Sequence, residues 1–319
     1  DHSPRFRSDG DRLARMVGLV QLDRESQIAT FGAGTPGPLV ESLLKPQGFT
    51  LGHFPQSWEL STIGGWVASR SSGQQSLRYG RIEQMFAGGH FETPSGTLDI
   101  PTIPASSAGP DIREMLLGSE GRMGIITDVK VRVTPLPEQE RFFVVFFPDW
   151  GKACAAARTL VQRKVPLSMM RVSNATETWT QLKLAGHAAA ISLLDKYLAL
   201  RGARAEKCMF TFGVTGSRAY CRAALALAKP VMREFGGVHT GTLLGRKWEE
   251  SRFRSPYLRH GLWEAGYAVD TLETAVDWSK TTATMNAIES ALRGGLKDQG
   301  ENVHVFTHLS HLYAQGSSI

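Results

Sequence analysis

The chain has 319 residues, 42% hydrophobic and 21% charged, with 36 Lys and Arg against 30 Asp and Glu for a formal charge of +6. That is the make-up of a globular protein long enough for two domains with buried cores, and no apolar run reaches the roughly 18 residues that cross a bilayer. The basic residues are scattered, with small clusters at 5–15, 201–207 and 246–259; they favour anionic ligands or an anionic membrane surface, and without a helix-turn-helix, zinc-finger or aromatic signature they argue against nucleic acid.

Residues 1–16 are polar, lack the apolar core of a secretory signal and are expected to be poorly ordered. MVGLVQLDRESQIATFGA (16–33) reads as a strand, a turn at Asp23 to Ser26 and a second strand over 27–31. A short helix over 36–44 follows, ended by Pro46. The stretch 48–80 is different: it carries Gly at 48, 52, 64, 65, 73 and 80 among many Ser and Thr, with few of the long apolar side chains a core needs. Glycine lets a ligand approach the backbone, and short hydroxyls with backbone N–H groups bind anions and heteroaromatic edges, so this stretch reads as a ligand cradle.

Strands are expected over 81–92 and 97–100, joined by the Pro94-Ser95-Gly96 turn, and a short helix over 111–117. A second glycine cluster, Gly118 to Gly124, runs into a strand over 125–133, and Thr134-Pro-Leu-Pro137 makes a domain boundary. Beyond it come strands at 141–150, 167–172 and 208–214. Helices are expected at 150–164, through 176–200, at 217–235 with a break at Pro230, at 247–254 and at 277–299. An extended segment over 237–244 and a strand over 302–313 complete the pattern. The sum is an α+β chain: a first domain over 1–138 and a second over 139–319, the latter an antiparallel sheet backed by helices.

LGHFPQSWELSTIGGWVASRSSGQQSLRYGRIE (51–83) and LLGSEGRMGIITDVKVRVTPLPE (116–138) resemble the flavoproteins of the vanillyl-alcohol oxidase and p-cresol methylhydroxylase type, and within them the alkylglycerone-phosphate synthases. The resemblance implies an FAD-binding domain followed by a substrate cap. It implies FAD contact by Gln56, Ser57, Trp58, Glu59, Leu60, Ser61 and Thr62, by Ser69, Arg70, Ser71 and Ser72, and by Glu120, Gly121, Arg122, Met123, Gly124, Ile125 and Ile126. It assigns His53 and Arg171 to catalysis and Arg259 to the anionic head group of a lipid-like substrate, which a guanidinium grips bidentately.

The family's first glycine loop, which grips the pyrophosphate, has no counterpart before Met16, and its catalytic tyrosine would fall just after Ile319; the chain is expected to lack both. The family reaction is exchange of the acyl group of acyl-dihydroxyacetone phosphate for a long-chain alcohol. Two alternatives stay open: an FAD-linked 2-hydroxy-acid dehydrogenase of the D-lactate or glycolate type, and a non-catalytic fragment. A lipid-like substrate and a basic surface suit peripheral membrane contact, and a homodimer is a further expectation.

Cys154, Cys208 and Cys221 fit neither a metal site nor a disulfide framework and read as small buried hydrophobes in a reducing, cytoplasmic compartment. His308 and His311 stand three apart on an expected strand and so face opposite sides, and no metal is expected.

Overall fold

LVQLD and IATFG form two antiparallel strands, β1 (Leu19–Asp23) and β2 (Ile28–Gly32), with Leu19 opposite Phe31 and Asp23 opposite Ile28. The Asp23 carboxylate accepts from the N–H groups of Glu25 and Ser26 and closes the turn between them. The computed structural model describes residues 16–319, so the expected disorder of 1–15 and the basic cluster there lie outside the described residues.

Helix α1 (Gly37–Leu44) buries Gly37, Val40, Glu41 and Leu44, and Pro46 lies in a 3-10 turn, Lys45–Gln47, that follows it. After β3 (Phe49–Thr50) the glycine-rich stretch contains a 3-10 turn at Trp58–Leu60, α2 (Ile63–Ser69) and α3 (Ser76–Tyr79). Gly64 and Gly65 weaken a helix and hide α2 from the sequence. It forms because Thr62 caps it, accepting from the Gly65 N–H at 3.2 Å, and because Gly64 lets it lie directly on Ala33.

The strand expected over 81–92 begins late. Gln84 reaches back to accept from the Arg81 N–H at 2.9 Å, which turns 82–85 into α4 (Ile82–Met85) before β4 (Phe86–Thr93) starts. Then come β5 (Gly96–Ile100), α5 (Ile112–Leu116), capped by the Asp111 carboxylate on the Arg113 N–H, and β6 (Ile125–Arg132). The sheet order is β1-β2-β6-β4-β5, antiparallel throughout, and β7 (Thr134–Pro135) pairs with β3. The core against this sheet gathers Phe31, Phe91, Val129 and Val131 with Val40 and Leu44 of α1 and Trp66 and Val67 of α2.

The chain divides into two compact units. One runs to Leu136 and takes in Phe253–Pro256; the other holds Pro137–Arg252 and Tyr257–Ile319. The second unit contains β8 (Gln139–Phe147), α6 (Trp150–Gln162), β9 (Met169–Ser173), α7 (Ala175–Leu184), α8 (Ala188–Leu200), β10 (Cys208–Gly216) and α9 (Arg218–Glu234). There follow β11 (Val238–His239), α10 (Leu243–Ser251), α11 (Ser255–Glu264), β12 (Ala275–Asp277), α12 (Thr281–Gly295), β13 (His308–Leu309) and β14 (Gly316–Ser318).

Its sheet has the antiparallel order β11-β8-β10-β9-β13. The unbroken apolar run FFVVFF marks β8 as buried on both faces. Phe143, Val145 and Phe147 meet the alanine faces of α6 and α9, while Val144 and Phe146 meet Leu198 of α8 and Ala203.

Three expectations change here. Helix α9 passes through Pro230 unbroken, because the proline sits on the exposed face, where the carbonyl it leaves unpaired can turn to water. The strand expected over 302–313 shrinks to β13, since His308 and Leu309 alone of that span pair with β9, while Leu312 bridges to Ser317; the later Gly316–Ser318 pairs with β12. Helix α11 was not evident in the sequence, although Ser255-Pro256 is a sound helix start. No helix among the described residues is long and apolar enough to cross a membrane.

Phe212 is fully buried and stacks on Phe143 with ring centroids 5.1 Å apart, joining β10 to β8. Phe212→Ala is expected to destabilise the second unit by about 3–5 kcal/mol in urea unfolding. A change within experimental error would show that this aromatic stack is not the centre of its core.

Candidate functional site

The glycine-rich stretch folds into two arms joined by α2. The first arm, 51–57, descends from β3; the second, 70–80, leaves the C-terminus of α2. Gly52 has a left-handed φ of 73°, and a Cβ there would fall 2.3 Å from the Tyr79 ring, so only glycine lets the arms meet. Gln74 N–H donates to Phe54 O at 2.9 Å, and His53 Nε2 lies 3.2 Å from Ser71 Oγ. His53 is 1% exposed, its ring 4.8 Å from that of Trp66. The histidine thus ties arm to arm from within.

Much of the hydroxyl content shapes the loop itself. Ser61 Oγ donates to Ser57 O and accepts from Trp66 Nε1, both at 2.7 Å; Ser69 Oγ donates to Gly65 O; Thr62 caps α2. Gln56, Ser57, Glu59 and Leu60 stand at the exposed surface of the 3-10 turn, and Ser71 and Ser72 are half-buried.

The second glycine cluster is joined to the first. Gly118 N–H donates to Val67 O at 3.1 Å and Glu120 N–H to Ala68 O at 3.0 Å, so the cluster closes the C-terminus of α2. Here two residues with side chains take the left-handed region, Arg70 with φ 54° and Glu120 with φ 49°. Strain of this kind gathers at ligand clamps. Arg70 is held by Glu114 of α5, and Arg122 Nε donates to Ser119 O. Gly121 has open space where a Cβ would be, and Met123 and Ile125 are exposed beside Gly124 and the buried Ile126.

The two joined clusters thus carry exposed apolar side chains, half-buried hydroxyls and, at Gly121, open space beside the backbone. Such a set suits a planar ring with apolar faces and a polar edge, which is what an isoalloxazine presents.

In the second unit Arg171, on β9, has a partner the sequence did not point to. Its Nη2 donates to Glu177 Oε1 on α7 and lies 3.0 Å from His308 Nδ1 on β13, while Glu177 Oε1 is 3.2 Å from the same nitrogen. Burial pushes the Glu177 carboxyl up, but Arg171 and His308 beside it outweigh burial and hold it far below the usual carboxylate range.

Asn174 caps α7 by accepting from the Glu177 N–H at 2.8 Å, and its amide donates to Glu289 of α12 at 2.8 Å. Thr307 Oγ1 donates to the same Glu289 oxygen at 2.6 Å, which seats β13 and with it His308. Arg259 stands apart on an exposed face of α11, with no hydrogen bond or ion pair to any described residue. Burial pushes the Cys154 thiol up and holds Cys208 at about 12, so neither is a nucleophile at neutral pH. Among the described residues no group of three or more His, Cys, Asp or Glu is placed to hold a metal ion.

The family of FAD linked oxidases, C-terminal domain, matches residues 136–319, and the FAD binding domain family matches 12–99. A curated alkyldihydroxyacetonephosphate synthase from Dictyostelium discoideum is 31% identical over 311 residues, covering 95% of this chain and 51% of its own length. A solved structure of an alkyldihydroxyacetonephosphate synthase, 30% identical, superposes with a TM-score of 0.85 over 95% of this chain and 56% of that one. Substrate-bound p-cresol methylhydroxylase, 14% identical, shares the fold with a TM-score of 0.61 over 95% of this chain and 63% of its own. The chain spans about half the length of the curated relatives it matches.

The Arg171–Glu177 pair makes a pH prediction. A carboxyl held below its ordinary value stabilises the fold above that value, and the contribution is lost as pH falls through it and toward the depressed one. Glu177→Gln leaves a mostly buried guanidinium without its counter-charge, so it is expected to cost about 3 kcal/mol at pH 7 in chemical unfolding. The gap from wild type should narrow below pH 4.5, the ordinary glutamate value. A gap that stays constant from pH 7 to pH 3 would contradict the ion pair.

Proposed function

Because this chain belongs to the FAD-linked oxidases, we propose that it works as an alkylglycerone-phosphate synthase, replacing the acyl group of acyl-dihydroxyacetone phosphate with a long-chain alcohol. The observation that supports this reading is the reach of the synthase likeness, 95% of the chain at 31% identity and so through both units. The exchange is redox-neutral overall: a carbon–oxygen bond to the fatty acid breaks, one to the alcohol forms, and the fatty acid leaves with its proton balance met by the incoming alcohol. Bound FAD supplies a ring that can take up and return an electron pair.

The chain's own residues supply the rest. Stretches 56–62, 69–72 and 120–126 hold the ring and its polar edge. Arg259, a guanidinium unpaired among the described residues, binds the phosphate of the head group. Arg171 is oriented by Glu177 and His308, which fix the plane of its guanidinium for a polar group of the substrate. The substrate is thus a small anionic lipid, and a basic chain suits its uptake from an anionic membrane surface.

In the full-length protein, ether product and free fatty acid are expected to appear one for one, with the flavin spectrum the same at the end of turnover as at the start. Net bleaching of the flavin by a 2-hydroxy acid such as D-lactate or glycolate would point to the dehydrogenase alternative. Arg259→Ala is expected to weaken substrate affinity by roughly tenfold to a hundredfold at constant flavin content, the worth of a charge-assisted bond. Loss of flavin with substrate affinity intact would place Arg259 in the wrong half of the site.

A further inference from the structure

The first arm of the cradle begins at a buried carboxylate. Glu41 lies on the inner face of α1 and is 3% exposed. Its Oε1 accepts from the N–H groups of Leu51 and Gly52, both at 3.1 Å, and its Oε2 from Thr50 Oγ1 at 2.8 Å. Burial pushes this carboxyl up, and the bonds from Thr50, Gly52 and Leu51, with the charge of Lys45, offset only part of that. A carboxyl raised in the folded state weakens the fold as pH rises from its ordinary value through the folded one, so an ionised Glu41 is a cost at neutral pH. An apolar side chain would fill the same space without that cost.

The far end of the arm is held by the same helix. Gly37 N–H donates to Ser61 O at 3.1 Å, Pro36 bridges to Thr62, and a Cβ on Gly37 would fall 2.4 Å from Trp58 O. Residues 50–62 therefore bend around α1 and are fastened to it at both ends. Between the fastenings lie His53, which ties the arm to Ser71, and the exposed residues of the 3-10 turn.

We propose that Glu41 is a positioning residue for FAD: by fixing the backbone of 50–52 on α1 it sets the curvature of 56–62, the stretch that meets the cofactor. The inference rests on the assignment of 56–62 to FAD contact. It acts through order rather than touch. With the carboxylate present the arm is already shaped for the ligand; without it, binding must first order a loop that has lost its bonds to α1 at 50–52, and affinity falls by that cost.

Two variants of the full-length protein separate positioning from mere packing. Glu41→Met fills the volume but leaves the Leu51 N–H without its acceptor and the Gly52 N–H with Thr50 Oγ1 alone. Glu41→Gln keeps one oxygen for both and turns an amide N–H toward Thr50 Oγ1. FAD is titrated into each apoprotein and followed by flavin fluorescence. Glu41→Met is expected to bind FAD roughly tenfold to a hundredfold more weakly while its apoprotein melts within about 5 °C of wild type, and Glu41→Gln to bind within about threefold of wild type.

Equal affinity in Glu41→Met and wild type would overturn the proposal, as would a folded Glu41→Gln that binds as weakly as Glu41→Met. Should Glu41→Met fail to fold, Thr50→Val removes the hydroxyl that donates to Glu41 and accepts from the Gly52 N–H, and leaves the two backbone bonds to Glu41 in place. It is expected to weaken FAD severalfold, and unchanged affinity there would overturn the proposal as well. A wild-type protein that binds no FAD would bring down the contact assignment together with this inference, whereas binding that all the variants share brings down the inference alone.

Discussion

Where α2 crosses the end of β2 there is no room for a side chain. Gly64 lies so close to Ala33 that an added Cβ would come within 2.6 Å of the alanine's own, and the helix is bonded there through Gly64 N–H to Ala33 O at 2.8 Å and Ile63 N–H to Thr35 O at 3.0 Å. This close approach seats α2 on the sheet. Everything that forms the cradle is then referred to it: the first arm arrives at its capped N-terminus, the second departs from its C-terminus, and the second glycine cluster closes that end with two backbone bonds. The glycines that weaken α2 as an isolated helix are what allow it to sit where a ligand surface can be built.

Both units carry a buried glutamate, and the two are opposite in their electrostatics. Glu177 is paired with a guanidinium and an imidazole and is held ionised; Glu41 has hydrogen-bond donors close by and, among the described residues, the charge of Lys45, and burial prevails over them. Each fastens a junction through backbone N–H groups, Glu41 at the entry to the cradle beside the buried Leu51 and Glu177 at the start of α7 through the Asn174 cap. Polar fastening of this kind costs stability relative to apolar packing but specifies geometry, which is what a ligand surface requires.

The two strand-rich sheets were legible in the sequence because their signals are local and strong: the short apolar-rich segments LVQLD and IATFG on either side of an Asp-Arg-Glu-Ser turn, and an unbroken apolar run in FFVVFF. The cradle was legible as composition and by family resemblance, but its internal order was not. Whether Gly64 sits in a helix depends on Ala33, thirty-one residues away, and no local pattern states that. Pro230 misled for a related reason, since on an exposed face the carbonyl a proline leaves unpaired can turn to water and the helix can run on.

Glu41 could have been found, because it occupies an inward position in the register of Gly37, Val40 and Leu44, where a charge calls for an explanation. Glu177 could not, because its partners come from β9 and from β13, over a hundred residues further along the chain.

The central claim is that FAD is held by three separated stretches of the first unit. Amide hydrogen exchange of the full-length protein with and without FAD tests it directly. The account predicts new protection at 56–62, 69–72 and 120–126 together, with the strands of the second unit's sheet unchanged. FAD binding that leaves these three stretches as open to exchange as before would contradict it.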